Sequence, residues 1–169
     1  DLASPNADVR LKAVRLLKST PYPEAAVPLA AAVTDSEDAV QFEAIAAAMN
    51  IYLAEKIIPR KRVALVVEVR SKVAAEAAFS EGPLTLNAQV VPDALLAALL
   101  RASRDENPRV ALDALYTFGA LVDNHSPASR ASLRTTAGPD LSGLLGVPQL
   151  ELRIAAARVI GRVYERHAT

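Results

Sequence analysis

Residues 8–17 read DVRLKAVRLL, in which an apolar residue and an arginine are followed three positions later by alanine and then by apolar residues one helical turn further on. The same pattern recurs as VQFEAI at 40–45, VALDAL at 110–115 and LRIAAA at 152–157, with arginine kept only in the first and fourth copies. Apolar residues at this spacing predict amphipathic helices. Their recurrence predicts a chain built from repeated units.

Residue types that begin helices precede the first three copies, as SPN at 4–6, DSED at 35–38 and DENP at 105–108. Short polar side chains there can cap the first turn, and we expect Pro5 and Pro108 to lie in a first turn, where no backbone N–H is lost. The fourth copy follows the weaker sequence VPQ at 147–149.

A second amphipathic segment follows each of the first three copies, at 24–33, 91–100 and 139–145. We expect Pro28, Pro92 and Pro139 to lie in the opening turns of these segments, where proline is tolerated. Each unit is therefore predicted to be a pair of helices.

These motifs make the chain similar to the short bacterial HEAT repeats, and the resemblance is carried by Val9-Arg10…Ala13 and by Asn107-Pro108-Arg109-Val110…Ala114. The resemblance implies an all-α fold, a right-handed α-solenoid of about four HEAT-like helix pairs with one helical insertion, in which the last pair has only its first helix. In the family, the arginine of the pattern forms a ladder with carboxylates of the turns. Gln41 and Ala111 replace that arginine here, so the ladder is expected to be discontinuous.

The units are predicted near 4–34, 35–103, 104–146 and 147–169, the last one partial, within one domain over 1–169. The second unit is about twice as long as the first, so it contains either a hidden repeat or an insertion. Residues 69–73 resemble the first-helix pattern, but no turn signal precedes them. An insertion at 57–89 is therefore the better explanation. Residues 63–69 have the β-branched composition of a strand. Helix is favoured instead, since Glu68, Lys72 and Glu76 form one polar stripe on a helix through Phe79. Its wide apolar face must pack on the repeats or on a partner.

Composition excludes several classes of function. The chain has 169 residues, 19 basic and 19 acidic side chains, no cysteine and no tryptophan. Its zero net charge gives no overall attraction to nucleic acid, so nucleic acid is an unlikely partner. Neither His125 nor His167 has a second ligand at metal-binding spacing, and no glycine-rich phosphate loop is present. We therefore expect no metal, no cofactor and no catalytic residue, and the apolar runs are too short to span a membrane.

Two basic clusters are the candidate sites. Arg60, Lys61 and Arg62 begin the insertion helix, at the end where helix electrostatics disfavour positive charge. With Arg101 and Arg104, they are assigned to a partner-binding surface, the alternative being an ordinary solvated charge run.

The second cluster consists of Arg158, Arg162 and Arg166, spaced four apart on the last helix and expected to point outward. It can dock an anionic partner, or it can be the polar cap that the end of a repeat array requires.

The function predicted from this shape is a non-catalytic protein-interaction or scaffold module that binds a protein partner on the concave face of the array and is itself a monomer or weak oligomer. The alternative is an enzyme or enzyme accessory of the bilin-lyase or DNA-repair HEAT type. A deep pocket with convergent ionisable groups would favour the enzyme, and a shallow groove would favour the scaffold. Because the chain begins with Asp1, a cytoplasmic location and export after cleavage of an N-terminal segment are both compatible with it.

Overall fold

The computed structural model describes residues 1–52, 75–76, 79, 89–122 and 127–164. All regular structure within these ranges is helical, which confirms the predicted all-α class. The α-helices are α1 (Ala7–Ser19), α2 (Ala26–Val33), α3 (Asp38–Tyr52), α4 (Asp93–Ala102), α5 (Pro108–Leu121), α6 (Pro127–Gly143) and α7 (Leu150–Tyr164). A short 3₁₀ turn at Pro23–Ala25 precedes α2, and another at Leu144–Gly146 follows α6.

The first helix of each unit begins where the sequence predicts. Asn6 caps α1 by accepting a hydrogen bond from the Asp8 N–H at 2.8 Å, and Asn107 caps α5 by accepting one from the Arg109 N–H at 3.0 Å. Pro108 is the first residue of α5, as expected. Pro5 precedes the cap of α1 and so lies outside its first turn, which makes that detail of the prediction wrong.

The prolines of the second helices behave differently from one another. Pro28 lies in the first turn of α2, and Pro92 occupies the N-cap position of α4. Pro139 lies inside α6, which begins at Pro127 rather than near 139. An interior proline costs about 3 kcal/mol, but Ala137 and Leu141 on either side of it are fully buried, and their burial offsets that cost.

The helices form two layers. The first helices pack on one another in chain order, α1 on α3, α3 on α5 and α5 on α7. The second helices α2 and α4 lie side by side, and each second helix packs on the first helix that follows it, α2 on α3, α4 on α5 and α6 on α7. Since α5 lies in the middle of this arrangement, every residue from 110 to 121 is buried.

Four residues of the predicted insertion, Ala75, Glu76, Phe79 and Gln89, are described. Ala75, Glu76 and Phe79 are helical, which confirms the predicted helix at these positions. Ala75 and Phe79 are buried in the same core as the repeats. The other residues of 57–89, apart from Gln89, lie outside the described part of the chain.

The alanines of the repeated pattern occupy the contacts between stacked first helices. Ala44, Ala114 and Ala156 are fully buried, whereas Ala13 is only half-buried. Replacing any of the three buried alanines with leucine should overpack the core and lower the free energy of unfolding by about 1–3 kcal/mol. Ala13→Leu is the matched control and should cost less. Urea unfolding measures both effects, and equal values for Ala13→Leu and Ala114→Leu would contradict the stacking.

Candidate functional site

A bidentate ion pair joins the first unit to the turn of the second. Nε and Nη2 of Arg10 donate hydrogen bonds to the two carboxylate oxygens of Asp35 at 2.7 Å each. Nη1 of the same guanidinium donates to the carbonyl oxygens of Ser4 and Pro5 at 2.9 and 3.2 Å. One oxygen of Asp35 also accepts from the Glu37 N–H at 3.0 Å, so this carboxylate both shapes its own turn and binds the preceding unit.

Arg10 and Asp35 form the first rung of the expected ladder, and an amide forms the next rung. Nε2 of Gln41 donates to Asp105 at 2.8 Å, and the other oxygen of Asp105 accepts from the Asn107 N–H at 2.9 Å. The loss of the rung expected at Gln41 was therefore wrong, because a glutamine amide supplies the donor that the arginine supplies in the first unit. The loss expected at Ala111 is confirmed, because a methyl side chain has no donor.

Arg153 of the fourth unit makes the same backbone contacts as Arg10 of the first unit. Nη1 of Arg153 donates to the carbonyl oxygens of Val147 and Pro148 at 3.0 and 3.1 Å. These carbonyls stand six and five residues before the arginine, as Ser4 and Pro5 stand before Arg10. These shared contacts align α1 with α7, so that Arg10 corresponds to Arg153.

A cleft of about 360 Å³ opens beside the second rung. It lies where the turn before α3 meets the end of α4 and the turn before α5, and its lining includes Asp35, Gln41, Arg101, Arg104, Asp105 and Glu106. Most of these side chains are engaged in contacts within the fold. Asp35 and Asp105 form the rungs, and Arg104 pairs with Asp140 of α6 at 2.7 Å.

Arg101 and Glu106 differ from the other charged groups of this cleft. Both side chains are exposed, and neither forms an ion pair or side-chain hydrogen bond with any described residue. The two arginines assigned to partner binding thus lie on the same cleft, with Arg101 available to a ligand and Arg104 held by Asp140.

The Arg10 guanidinium holds the pKa of Asp35 below its ordinary value of 3.8, against a smaller opposing effect of burial. A carboxyl whose pKa is lower in the folded than in the unfolded protein adds stability above its unfolded pKa. That stability is lost as the pH falls through the folded pKa.

Asp35→Asn should therefore be less stable than the parent at neutral pH, and the difference should shrink as the solution is acidified below about 3.8. Urea unfolding at a series of pH values measures this difference. Arg10→Gln should behave in the same way, because the partner of the carboxylate then carries no charge. A stability difference that does not change with pH would show that Asp35 acts only through turn geometry.

The second basic cluster is partly engaged within the chain. Nη1 of Arg158 donates to a Glu76 oxygen at 2.9 Å and to the Tyr116 hydroxyl at 3.1 Å, which in turn lies 3.4 Å from the same oxygen. The hydrogen bond to Glu76 raises the pKa of Arg158. Burial, followed by the nearby Glu76 charge, raises the pKa of Tyr116.

Aromatic rings complete this contact. The Phe79 ring lies 5.6 Å from the Tyr116 ring, and the guanidinium groups of Arg158 and Arg162 lie 5.2 and 4.8 Å from the Phe79 ring centre. Arginine over an aromatic face is a favourable arrangement. These two arginines were expected to point outward. Arg158 is exposed, and the guanidinium groups of both arginines also lie over Phe79 of the insertion.

Sequence reasoning placed Arg60, Lys61, Arg62 and Arg166 in the candidate sites, and all four lie outside the described residues. It missed the rung formed by Gln41, although an amide at the arginine position of the pattern was a usable signal. It also missed Tyr116 and Phe79, since nothing local in the sequence indicates that they meet Arg158.

Two further observations concern metal sites and membrane-spanning helices. Across the described ranges, His, Asp and Glu side chains nowhere form a group of three that could hold a metal ion. None of the helices in those ranges is both long and apolar enough to cross a membrane.

No protein-family model matches the chain, and no curated protein is significantly similar to it in sequence.

Proposed function

We propose that the chain is a right-handed HEAT-type α-solenoid that acts as a non-catalytic protein-interaction or scaffold module. The partner binds the exposed face of the second helices, here called the second-helix surface and formed by Val27 and Ala31 of α2 and Ala94, Ala97 and Arg101 of α4. The observation that carries the proposal is an exposed arginine that pairs with none of the described side chains and lies beside small apolar side chains on two adjacent helices.

The repeated turn geometry supports the solenoid. Arg10 and Arg153 bind equivalent carbonyl oxygens, and Arg10 and Gln41 each bind the aspartate of the following turn. Contacts that recur from one unit to the next are typical of arrays in which each unit packs mainly on its neighbours. Such arrays present the exposed face of one helical layer as an extended binding surface.

The second-helix surface has the chemistry of a protein-binding patch. Val27 is 57% exposed, and Ala31, Ala94 and Ala97 are exposed beside it. Small side chains let a partner approach the helices closely, and arginine is among the residues enriched at the centres of interfaces. Arg101 is positioned to bind a carboxylate of that partner, in the bidentate manner that Arg10 shows with Asp35.

The contacts that Asp35 and Asp105 make within the fold favour binding over catalysis at this cleft. A general base works best when its pKa lies near the working pH. The pKa of Asp35 is lowered by Arg10, and Asp105 already accepts hydrogen bonds from Gln41 and from its own turn. Both groups serve the fold, so a scaffold explains this cleft better than an enzyme of the bilin-lyase or DNA-repair type.

Affinity capture from native extract, followed by mass spectrometry, tests the proposal. Arg101→Glu should reduce the yield of the specific partner by about tenfold or more, which is the loss expected when a charge-paired hot spot is reversed. Lys12→Glu is the matched control, because Lys12 is also an exposed cation but lies on α1, away from the second-helix surface. Its capture should equal that of the parent.

Both variants should melt at the parent's temperature, because exposed charges contribute little to stability. Equal loss of the partner with Arg101→Glu and Lys12→Glu would indicate nonspecific charge attraction and would refute a site at Arg101. Turnover of a small molecule by the purified chain would refute the non-catalytic proposal.

We propose that the basic triplet, which lies outside the described residues, also binds this partner. Its charge at a predicted helix start suits an acidic partner. Replacing Arg60, Lys61 and Arg62 with serine should weaken capture of that partner while leaving the melting temperature nearly unchanged. A large loss of stability with full capture would show that the triplet is structural.

A further inference from the structure

We propose that the cleft beside the second rung receives a basic side chain of the protein partner, which pairs with Asp105 and Glu106, while Arg101 pairs with an acidic side chain of the same segment. The inference rests on the proposed function, because the cleft shares Arg101 with the second-helix surface. It adds the chemistry of the bound segment, which carries a base and an acid close together.

The two rungs of the ladder differ in charge. Asp35 and Asp105 hold the same place in their turns, since each accepts a hydrogen bond from the N–H two residues later, at 3.0 and 2.9 Å. Asp35 is bound by a guanidinium, which neutralises its charge. Asp105 is bound at 2.8 Å by the amide of Gln41, which carries no charge, and it forms no ion pair with any described residue. The second rung therefore keeps a hydrogen bond like that of the first rung but leaves a carboxylate charge at the cleft.

Glu106 adds a second negative charge at the same place, because it follows Asp105 in the chain and its exposed side chain pairs with no described residue. The two arginines of the cleft do not compensate these charges. Arg104 pairs with Asp140 at 2.7 Å, and Arg101 forms no ion pair with either carboxylate. The cleft thus presents two carboxylates and one guanidinium to a ligand.

Burial makes Asp105 the stronger of the two carboxylate anchors. Asp105 is half-buried and Gln41 beneath it is 3% exposed, so salt screens a cation bound there less than it screens one at the open surface. A carboxylate can accept about four hydrogen bonds, and Asp105 accepts one from Gln41 and one from the Asn107 N–H. Its remaining lone pairs can bind an ammonium or a guanidinium through charge-assisted hydrogen bonds, which are stronger than the bond to the amide.

The size and the lining of the cleft favour a partner's side chain over a small molecule. Its volume of about 360 Å³ is near the lower limit of the range of about 300–1,000 Å³ for small-molecule sites, which are lined mainly by apolar and aromatic groups. Among the described residues that line this cleft, Ala102 alone is apolar. A small molecule would therefore gain little apolar contact, whereas a partner gains its apolar contact on the second-helix surface beside the cleft.

A random peptide library displayed on phage supplies the probe, and the parent chain selects peptides from it at low salt. We expect the retained peptides to carry an arginine or lysine near an aspartate or glutamate. Isothermal titration calorimetry then measures the affinity of synthetic copies of these peptides for the parent and for its variants.

Gln41→Arg and Glu106→Arg test the contact with the basic side chain. An arginine at position 41 should form with Asp105 the ion pair that the first rung has, and so take the place of the peptide's cation. An arginine at position 106 should repel that cation, and each change should weaken binding by at least about tenfold. Asp8→Arg is the matched control, since Asp8 is also an exposed acid near the start of a first helix but does not line the cleft. Its affinity should equal that of the parent, and unchanged melting curves confirm that the variants fold.

The reciprocal change separates a direct contact from an effect on the fold. A peptide whose base is replaced by glutamate should bind Glu106→Arg more tightly than it binds the parent, which a loss of stability cannot produce. Retained peptides that lack a basic residue overturn the inference, as does equal binding to the parent, Gln41→Arg and Glu106→Arg. If such peptides still lose binding with Arg101→Glu, the proposed function stands without this inference. A library from which no peptide is retained overturns both.

Discussion

Replacing Phe79 with alanine should lower the free energy of unfolding by about 3–5 kcal/mol, the largest effect expected from any single change considered for this protein. The ring is 5% exposed and packs against Tyr116 and the backbone of Gly119. It also lies under the guanidinium groups of Arg158 and Arg162. Alanine would leave a cavity between α5 and α7, and urea unfolding followed by circular dichroism would measure the cost.

Leu16→Ala is the matched control for that experiment. Leu16 is also a large apolar residue of a helix, but it is 65% exposed, so its truncation should cost little. A small effect at Phe79 would show that the helical segment around it contributes no packing to α5 and α7.

Gly119→Leu should lower the free energy of unfolding by about 3 kcal/mol, whereas the same change at the corresponding Gly161 should raise it slightly. At Gly119 even a Cβ would lie 2.7 Å from the Phe79 ring and 2.8 Å from Val159, so the two helices would have to separate. At Gly161 nothing described lies within 4 Å, and leucine would gain about 0.5–1 kcal/mol of helix propensity over glycine.

Urea unfolding measures the stability of both glycine variants. Equal destabilisation at the two glycines would contradict the alignment of α5 with α7.

The sequence predicted the first helices well because their determinants are local. An asparagine that caps the helix, apolar residues at helical spacing and an alanine at the contact point all lie within about ten residues of each other, as around Asn107 and Ala114. The second helices were predicted less well. Pro139 was interpreted as the start of a helix because proline favours first turns, whereas burial of Ala137 and Leu141 allows α6 to continue through it.

The candidate sites were predictable in part for the same reason. Sequence reasoning assigned Arg101 and Arg104 to the partner-binding surface, and the fold places both on one cleft. It could not indicate that Arg104 pairs with Asp140 or that Phe79 lies under Arg158, because these residues are distant in the chain and meet only after the helices pack.

The contact of Glu76 and Phe79 with α7 also affects how cooperatively the chain unfolds. In arrays where each unit contacts only its neighbours, stability is close to a sum of nearest-neighbour terms, and the terminal unit frays first. Here Glu76 and Phe79, which precede α4 in the chain, contact both α5 and the last helix. The last helix cannot separate without also losing its contacts to these two residues. The C-terminal helix should therefore unfold in the same transition as the middle of the chain rather than before it, and its amide protons should exchange with solvent at the rate of global unfolding.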